Sequence, residues 1–292
     1  METLEKNSYK AHQEHYQNVY ADPDPVVARI HNWKSDDPLS YYLHESSWKL
    51  TNELAIPFTT WLTVGDGYGA DAGYLLNRGC TVTASDISAT MLEAACRNGF
   101  IKDYAVENVE KISFADSSYN YVYCKESYHH FPRPFAAFYE MIRVCNKAVV
   151  IQEPIDILQT MPILLFIKNM LDRFNPNLIS KLWKNRYSFE TVGNFVYKVS
   201  EREFEKAAIA IGLPAIAFKG YNHAKTKKGM TDISSAKNTV AWRNILSRLG
   251  IIPYEQLSAI IFKSMPDNGL IQRLQAEGYK FIKFPVNPYL SK

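Results

Sequence analysis

Residues 63–71 read TVGDGYGAD, a glycine-rich turn that follows the short apolar run 60–64 and precedes a helical pattern at 70–77. Glycines permit positive φ angles and let a ligand lie against bare backbone. The start of the next helix adds N–H groups and a partial positive charge, which stabilise an anionic group nearby. A strand, such a turn and a helix predict the first unit of a nucleotide-binding α/β sheet.

Short apolar runs continue to alternate with helical patterns after this turn. Ser88 precedes one of the helical patterns and is expected to cap it. The alternation predicts an α/β fold with a doubly wound, Rossmann-like, mostly parallel sheet of about seven strands. The predicted strands are 60–64, 81–84, 104–106, 119–124, 148–151, 215–219 and 257–263.

Changes in composition divide the chain into four segments. Residues 1–55 are polar and aromatic and predict an N-terminal helical cap whose helices are broken at prolines 23, 25 and 38. Residues 56–154 form the predicted Rossmann-like core. Residues 155–200 predict a helical insertion that acts as a lid, and residues 201–292 complete the sheet and add a C-terminal tail.

The composition is that of an ordinary soluble globular protein: 292 residues, 47% hydrophobic, 22% charged, with a net charge of +3. The densest basic run, at 225–228, lacks interleaved aromatic residues, so no nucleic-acid site is predicted. The apolar stretch 161–171 is too short for a stable membrane span. METLEKNSYK has no signal-peptide core, so a cytoplasmic location is expected.

The segment 155–183 is almost apolar all round. This pattern favours a buried helix or a homodimer surface over a lipid-contacting segment.

The glycine turn alone does not choose a cofactor. Gly65, Gly67 and Ala70 also fit the dinucleotide pattern G-x-G-x-x-G/A, and Asp86 stands where an NAD site needs its ribose carboxylate. An NAD-dependent oxidoreductase therefore remains open at this point.

Further motifs follow the turn in a fixed order. They are Gly65-x-Gly67-x-Gly69, Asp86 within ASDIS, NVEKISF at 108–114, YNYV at 119–122, and His130 within YHHF at 128–131. In this order they resemble the class I S-adenosylmethionine-dependent methyltransferases, particularly the group that acts on small molecules. The resemblance covers residues 61–154, about a third of the chain.

This resemblance implies S-adenosylmethionine as cofactor, with S-adenosylhomocysteine as its product. Gly65, Gly67 and Gly69 would approach its methionine and ribose parts, and Asp86 would accept hydrogen bonds from both ribose hydroxyls. At the adenine, Ile87 would lie against the ring, and Asn108 would bond its amino group with Val109 beside it. Tyr16 and Tyr20 would cover the carboxylate.

Thr63 departs from the family pattern, which has an acidic residue there. Asp66 is expected to compensate for the missing charge. Asn108 replaces an aspartate, but an amide oxygen still accepts a hydrogen bond.

The densest group of reactive side chains lies in residues 124–134, after the fourth strand. Ligand crevices of open α/β sheets lie at that edge. We expect His129 or His130 to act as general base, with Glu126 orienting it. Glu153, which ends the fifth strand, is expected to contact the acceptor or steady a histidine. No metal site is predicted, because two adjacent histidines leave the other ligands unspecified.

The sequence therefore predicts methyl transfer to a hydroxyl of a small-molecule acceptor, a sugar or a secondary metabolite. N-methylation, which needs less help from a base, is the near alternative. A non-catalytic nucleoside-binding protein is a further one, since Thr63 marks an altered cofactor site.

Overall fold

The structure, a computed structural model, describes residues 8–11, 13–14, 18, 22–175, 177, 188–189, 194–223 and 232–289. Within these residues one eight-stranded sheet has the order β3-β2-β1-β4-β5-β7-β6-β8. The strands are β1 Thr60–Val64, β2 Thr81–Asp86, β3 Tyr104–Val106, β4 Tyr119–Lys125, β5 Cys145–Pro154, β6 Ala215–Tyr221, β7 Gln256–Phe262 and β8 Lys280–Lys283.

The first five strands are parallel, as predicted. β7 is antiparallel to both β5 and β6, so β6 points in the same direction as β5. The C-terminal ends of strands β1 to β6 therefore all lie at one edge of the sheet, here called the carboxyl edge. Val64 of β1 is in register with Cys124 of β4, which places the turn after β1 beside the loop after β4.

Helices cover both faces of the sheet. They are α1 Asp24–His31, α2 Trp33–Asp36, α3 Pro38–Trp48, α4 Ala70–Asn77, α5 Ala89–Arg97, α6 Pro134–Val144, α7 Ile157–Thr160, α8 Pro162–Phe174, α9 Glu201–Ala210, α10 Ile233–Arg248 and α11 Asn268–Ala276. Successive strand residues face opposite sides. Tyr121 and Tyr123 of β4 accordingly enter the core under α4 and α5, whereas Val122 and Cys124 enter the core under α6 and α9.

The prolines of the N-terminal region begin helices and do not break them. α1 starts directly after Pro23 and has a second proline in its first turn. α3 starts at Pro38, and the Asp37 side chain accepts a hydrogen bond from the Ser40 backbone N–H. Proline suits the first helical turn because its missing N–H would have no partner inside the helix.

Three further expectations are corrected. The sheet has an eighth strand, β8, within the predicted tail. Ser88 precedes α5, but its side chain does not cap the helix and its hydroxyl contacts that of Thr90. α8 is not a buried helix, since Ile163, Phe166 and Phe174 are exposed.

No helix in the described part of the chain is both long and apolar enough to cross a bilayer.

Candidate active site

The glycine turn and the loop after β4 touch at the carboxyl edge. Gly65 and Gly69 both adopt positive φ, at 65° and 69°. A Cβ on Gly65 would lie 2.5 Å from Cβ of Ser127, and one on Gly69 would lie 2.9 Å from Ile101. These two glycines are therefore required by close internal packing as well as by any ligand.

Asp66 is held inside the turn. Its carboxylate accepts hydrogen bonds from the backbone N–H groups of Asp71 and Ala72 and from the Thr63 hydroxyl, at 2.9–3.2 Å. Burial, followed by the charge of Asp71, raises the pKa of Asp66 well above its ordinary value. The carboxylate thus caps α4 and lies beside Thr63, the position where the family pattern has its acidic residue.

A cleft of about 650 Å³ opens where the carboxyl ends of β1, β2 and β4 meet, here called the Asp86 cleft. Most of the residues expected at the adenosine line it, and Tyr9, Glu126 and His130 join them. The described lining is Tyr9, Gly65, Asp86, Ile87, Glu107, Asn108, Val109, Glu126, Ser127, His130, Phe131 and Pro132.

Asp86 ends β2 at the wall of this cleft and is 7% exposed. Its carboxylate accepts a 2.9 Å hydrogen bond from the Ser88 backbone N–H. Burial raises the pKa of Asp86 to about 6, against backbone hydrogen bonds that lower it. A buried carboxylate with few donors is suited to accept hydroxyl groups of a bound sugar.

Asn108 lies opposite, and its side-chain oxygen accepts a 2.9 Å hydrogen bond from the Glu110 backbone N–H. An amide oxygen has two lone pairs, so it can accept a second hydrogen bond from a ligand. Ile87 and the buried Val109 give the same cleft apolar walls.

The N-terminal segment covers part of the Asp86 cleft. Tyr9 lines the cleft, and Gln13 donates a 3.2 Å hydrogen bond to the Ile87 carbonyl. Ser8 bonds the side chain of Asn194, which in turn donates to the His130 carbonyl at 2.8 Å. Tyr16 and Tyr20, the expected cover, lie outside the described residues.

Glu153 organises the loop after β4. Its fully buried carboxylate accepts hydrogen bonds from the backbone N–H groups of Ser127 and Tyr128, at 2.8 and 2.7 Å. The same carboxylate lies 2.5 Å from Nδ1 of His129. Glu153 thus steadies His129, one of the two roles expected for it, and takes the place that was expected for Glu126 at this histidine.

The two adjacent histidines occupy different surroundings. Their rings are in contact, with centroids 3.9 Å apart and planes tilted by 42°. The His130 ring lines the Asp86 cleft, whereas the His129 side chain is 13% exposed and packs against Glu153. His130 thus lines the cleft in which the cofactor is expected, whereas His129 is held by Glu153.

Glu126 follows β4 with a φ of 50°, a strained angle for a residue other than glycine. One carboxylate oxygen lies 3.3 Å from Nε2 of His223 and the other 4.0 Å from Nζ of Lys125. Burial opposes ionisation, but the hydrogen bond from His223 and the positive charge of Lys125 prevail and hold the pKa of Glu126 well below its usual range.

Lys125 lies in a buried polar cluster next to Glu126. Its Nζ is 3.6 Å from Oδ1 of Asp71 and 3.1 Å from Nδ1 of His44. The Trp48 indole N–H donates to the same Asp71 oxygen at 2.6 Å. Burial and the Lys125 charge lower the pKa of His44 to about 3, so this imidazole stays neutral.

Two further cavities adjoin this cluster. The His223 cavity, of about 960 Å³, has the described lining Leu43, His44, Glu126, Pro154, Ile155, Ile157, Lys198, His223, Glu255 and Gln256. The Asp71 cavity, of about 930 Å³, lies behind the turn and is lined by Gly65, Asp66, Gly67, Asp71, Lys125 and Glu126, with residues of α1 and α3. Among the described lining residues, Glu126 alone borders all three cavities.

Sequence reasoning missed Tyr9, His44 and His223. Tyr9 belongs to the same aromatic N-terminal region as the tyrosines that were expected. His223 carried a usable signal, since it follows the predicted strand 215–219 closely and β6 ends at the carboxyl edge. His44 carried none, because its place depends on how α3 packs against the sheet. In the described part of the chain no cluster of three or more His, Cys, Asp or Glu side chains is arranged to hold a metal ion.

Residues 62–151 match the family model described as a methyltransferase domain. Over these residues the chain carries a methyltransferase domain. The match runs from β1 into β5 and includes Gly65, Asp86, Asn108 and His130. The cofactor of this enzyme class is S-adenosylmethionine, which decides against the NAD-dependent oxidoreductase that the glycine turn alone left open.

Solved structures share the fold of this methyltransferase domain, whereas no curated protein sequence matches the chain. A methyltransferase solved with the Haloferax volcanii Trm112 methyltransferase activator is 13% identical over 88% of this chain and 99% of its own, with a TM-score of 0.52. A methyltransferase of Bacillus halodurans C-125 is 18% identical over 74% and 98%, with a TM-score of 0.46. The magnesium protoporphyrin IX methyltransferase of Synechocystis PCC 6803, with bound S-adenosylmethionine, is 12% identical over 87% and 96%, with a TM-score of 0.49.

Proposed function

We propose that this methyltransferase transfers a methyl group to a hydroxyl oxygen of a small molecule. The adenosine part of S-adenosylmethionine would lie in the Asp86 cleft and the acceptor in the His223 cavity. One observation carries the proposal: the two cavities meet at Glu126, at the carboxyl edge where open α/β sheets bind their ligands.

The residues of the Asp86 cleft fit an adenosine. The Asp86 carboxylate is placed to accept both ribose hydroxyls, and Asn108 to accept the adenine amino group. Ile87 and Val109 supply apolar surface for the flat ring. The adenine therefore lies between β2 and the loop that contains Asn108.

The methionine end would extend along Gly65 and Gly67 into the Asp71 cavity, which both glycines line. There the Asp66 carboxyl takes the place of the acidic residue that Thr63 replaces, since their side chains are 2.9 Å apart. Gly69 has a structural role, because a Cβ at this position would lie only 2.9 Å from the Ile101 side chain.

The bound cofactor supplies an activated methyl group with a neutral thioether as leaving group. The protein contributes alignment of the acceptor oxygen with that methyl group, and positioning of this kind lowers barriers by several kcal/mol. A hydroxyl acceptor must also lose its proton, for which an imidazole is suited. Among the described residues, four histidines approach the carboxyl edge, numbers 44, 129, 130 and 223.

N-methylation is the second candidate. The Glu126 carboxylate, which stays ionised between the cavities, would also attract a protonated amine. Matched hydroxyl and amine acceptors separate the two reactions.

Calorimetric titration of the full chain with S-adenosylmethionine tests the cofactor site. Asp86→Ala should weaken binding by about 1–3 kcal/mol, because it removes charged hydrogen bonds to the ribose. Asp22→Ala, at an exposed aspartate, is the matched control and should bind as the wild type does. Lack of binding by the wild type up to millimolar cofactor would end the proposal.

A further inference from the structure

His223 lies where β6 reaches the carboxyl edge, with its side chain 19% exposed. Its Nε2 is 3.3 Å from Oε1 of Glu126 and 3.4 Å from Oγ of Ser47. The Tyr221 ring packs against the imidazole with centroids 5.3 Å apart. These contacts hold the imidazole of a residue that also lines the His223 cavity.

The other three histidines are less suited to take a proton from an acceptor in this cavity. His129 is engaged by Glu153, and His130 faces the Asp86 cleft. His44 lines the His223 cavity, but its Nδ1 lies 3.1 Å from the Lys125 ammonium and its pKa is lowered to about 3 by burial and that charge. A base whose conjugate acid is so strong retains a proton poorly at neutral pH.

Glu126 complements His223 in the way a general base requires. The hydrogen bond through Nε2 places the ring proton toward the carboxylate, so Nδ1 carries the lone pair. When Nδ1 takes up a proton, the imidazole becomes cationic, and the ionised carboxylate 3.3 Å away stabilises that cation. The strained backbone of Glu126 is consistent with this placement, since such strain concentrates at functional sites.

We propose that His223 is the general base of the methyl transfer, that Glu126 is its positioning residue, and that the acceptor is a hydroxyl compound with an apolar body. The acceptor class follows from the aliphatic wall of the His223 cavity, formed by Leu43, Pro154, Ile155 and Ile157. This inference rests on the methyl transfer proposed above and adds the residue and the acceptor class.

The step balances without a further reactant. Nδ1 of His223 takes the hydroxyl proton while the oxygen forms a bond to the methyl carbon. The methyl–sulfur bond breaks, and its electron pair stays on sulfur, which becomes a neutral thioether. The products are a methyl ether, S-adenosylhomocysteine and a protonated His223, which returns its proton to water.

The test is transfer of labelled methyl from S-adenosylmethionine to phenol, catechol and 4-nitrophenol, with aniline and benzylamine as matched amines. We expect the wild type to methylate phenols, and His223→Gln to lower kcat by about 100-fold or more, the usual contribution of a general base. Cofactor affinity should stay unchanged. His31→Gln, at an exposed histidine of α1, is the control and should keep full activity.

Two further readouts separate a base from a structural residue. The fall of kcat/KM toward low pH should disappear in His223→Gln, and added imidazole should restore activity to His223→Gly. Glu126→Gln should change the same pH profile. The charged and titratable groups around His223, whose variants must be compared in that profile, are Glu126, Lys125, His44, Tyr221, Lys198 and Glu255.

Undiminished phenol methylation by His223→Gln would overturn the inference, as would methylation of the amines alone. Cofactor binding without transfer to any of the three phenols would also overturn it and leave the proposed function standing. A wild type that does not bind S-adenosylmethionine, or that methylates the amines alone, would remove the proposed function itself.

Discussion

The carboxyl edge holds two carboxylate–imidazole pairs in unlike surroundings. One carboxylate, Glu153, is fully buried and accepts hydrogen bonds from two backbone N–H groups and from His129. The other, Glu126, is partly exposed, contacts His223 at 3.3 Å and borders three cavities. Both pairs join a carboxylate to an imidazole. The Glu153 oxygens accept hydrogen bonds from groups within the protein, whereas the Glu126 carboxylate borders cavities.

This difference separates a structural pair from a reactive one. A buried carboxylate that satisfies several donors fixes a loop, and its loss leaves those donors without partners. A carboxylate at a junction of cavities, on a strained backbone, contributes less to stability and more to chemistry. The comparison can be tested with paired variants, one in each pair.

The largest expected difference is between Glu153→Ala and Glu126→Ala. We expect Glu153→Ala to lower the free energy of unfolding by about 3–5 kcal/mol, because three buried donors lose their acceptor. Glu126→Ala should change it by about 1 kcal/mol or less, as is usual for partly exposed ion pairs. Urea unfolding measures both, and equal losses would erase the distinction.

A second pair of variants tests how closely the glycine turn after β1 packs against the loop after β4. Gly65→Ala should cost about 2–4 kcal/mol of unfolding free energy, from its positive φ and from collision with Ser127. Gly99→Ala has a φ of 71° but open space around its Cβ, so it should cost only about 1–2 kcal/mol. Thermal unfolding of the two variants measures how much of the loss in unfolding free energy comes from the collision with Ser127. Similar losses for both variants would show that Ser127 moves aside.

The smallest effect concerns pH. Because the pKa of Asp86 is raised to about 6 by burial, its ionised form, the one proposed to accept the ribose hydroxyls, predominates above that pH. Below about pH 6 the Asp86 carboxylate becomes protonated and loses a hydrogen-bond acceptor site. S-adenosylmethionine should therefore bind about tenfold more weakly at pH 5 than at neutral pH.

Asp86→Asn removes this titration while it keeps the shape of the side chain. Its affinity for the cofactor should be weaker throughout and nearly flat over the same pH range in calorimetry. A wild-type affinity that rises as the pH falls would contradict the assignment of the ribose to Asp86.

Much of the Asp86 cleft was predictable from local sequence. The bounds of β1, α4 and β3 are those expected, and Gly65, Asp86, Ile87, Asn108 and Val109 line one cleft. The reason is topological: parallel strands end at one edge, so residues that follow successive strands converge. The same rule made His223 predictable once β6 was recognised as pointing in the direction of β5.

Other features depend on packing that no local pattern encodes. The apolar residues of α8 favoured a buried helix or a homodimer surface, and Ile163 and Phe166 are exposed because no described element covers them. β8 was missed because its four residues carry charged ends and pair only through β6. Both outcomes are decided by the surrounding chain.

The amino-acid sequence by itself determined the parallel core, the glycine turn, the acidic end of β2 and the class of cofactor, because each depends on neighbours along the chain or on strand order. Only the tertiary structure decided which carboxylate meets which histidine. Glu126 was expected beside His129 and His130 and instead contacts His223, while Glu153 takes His129. The direction of a side chain at a strand end depends on the backbone angle there, and the positive φ of Glu126 turns its carboxylate toward α3 and β6.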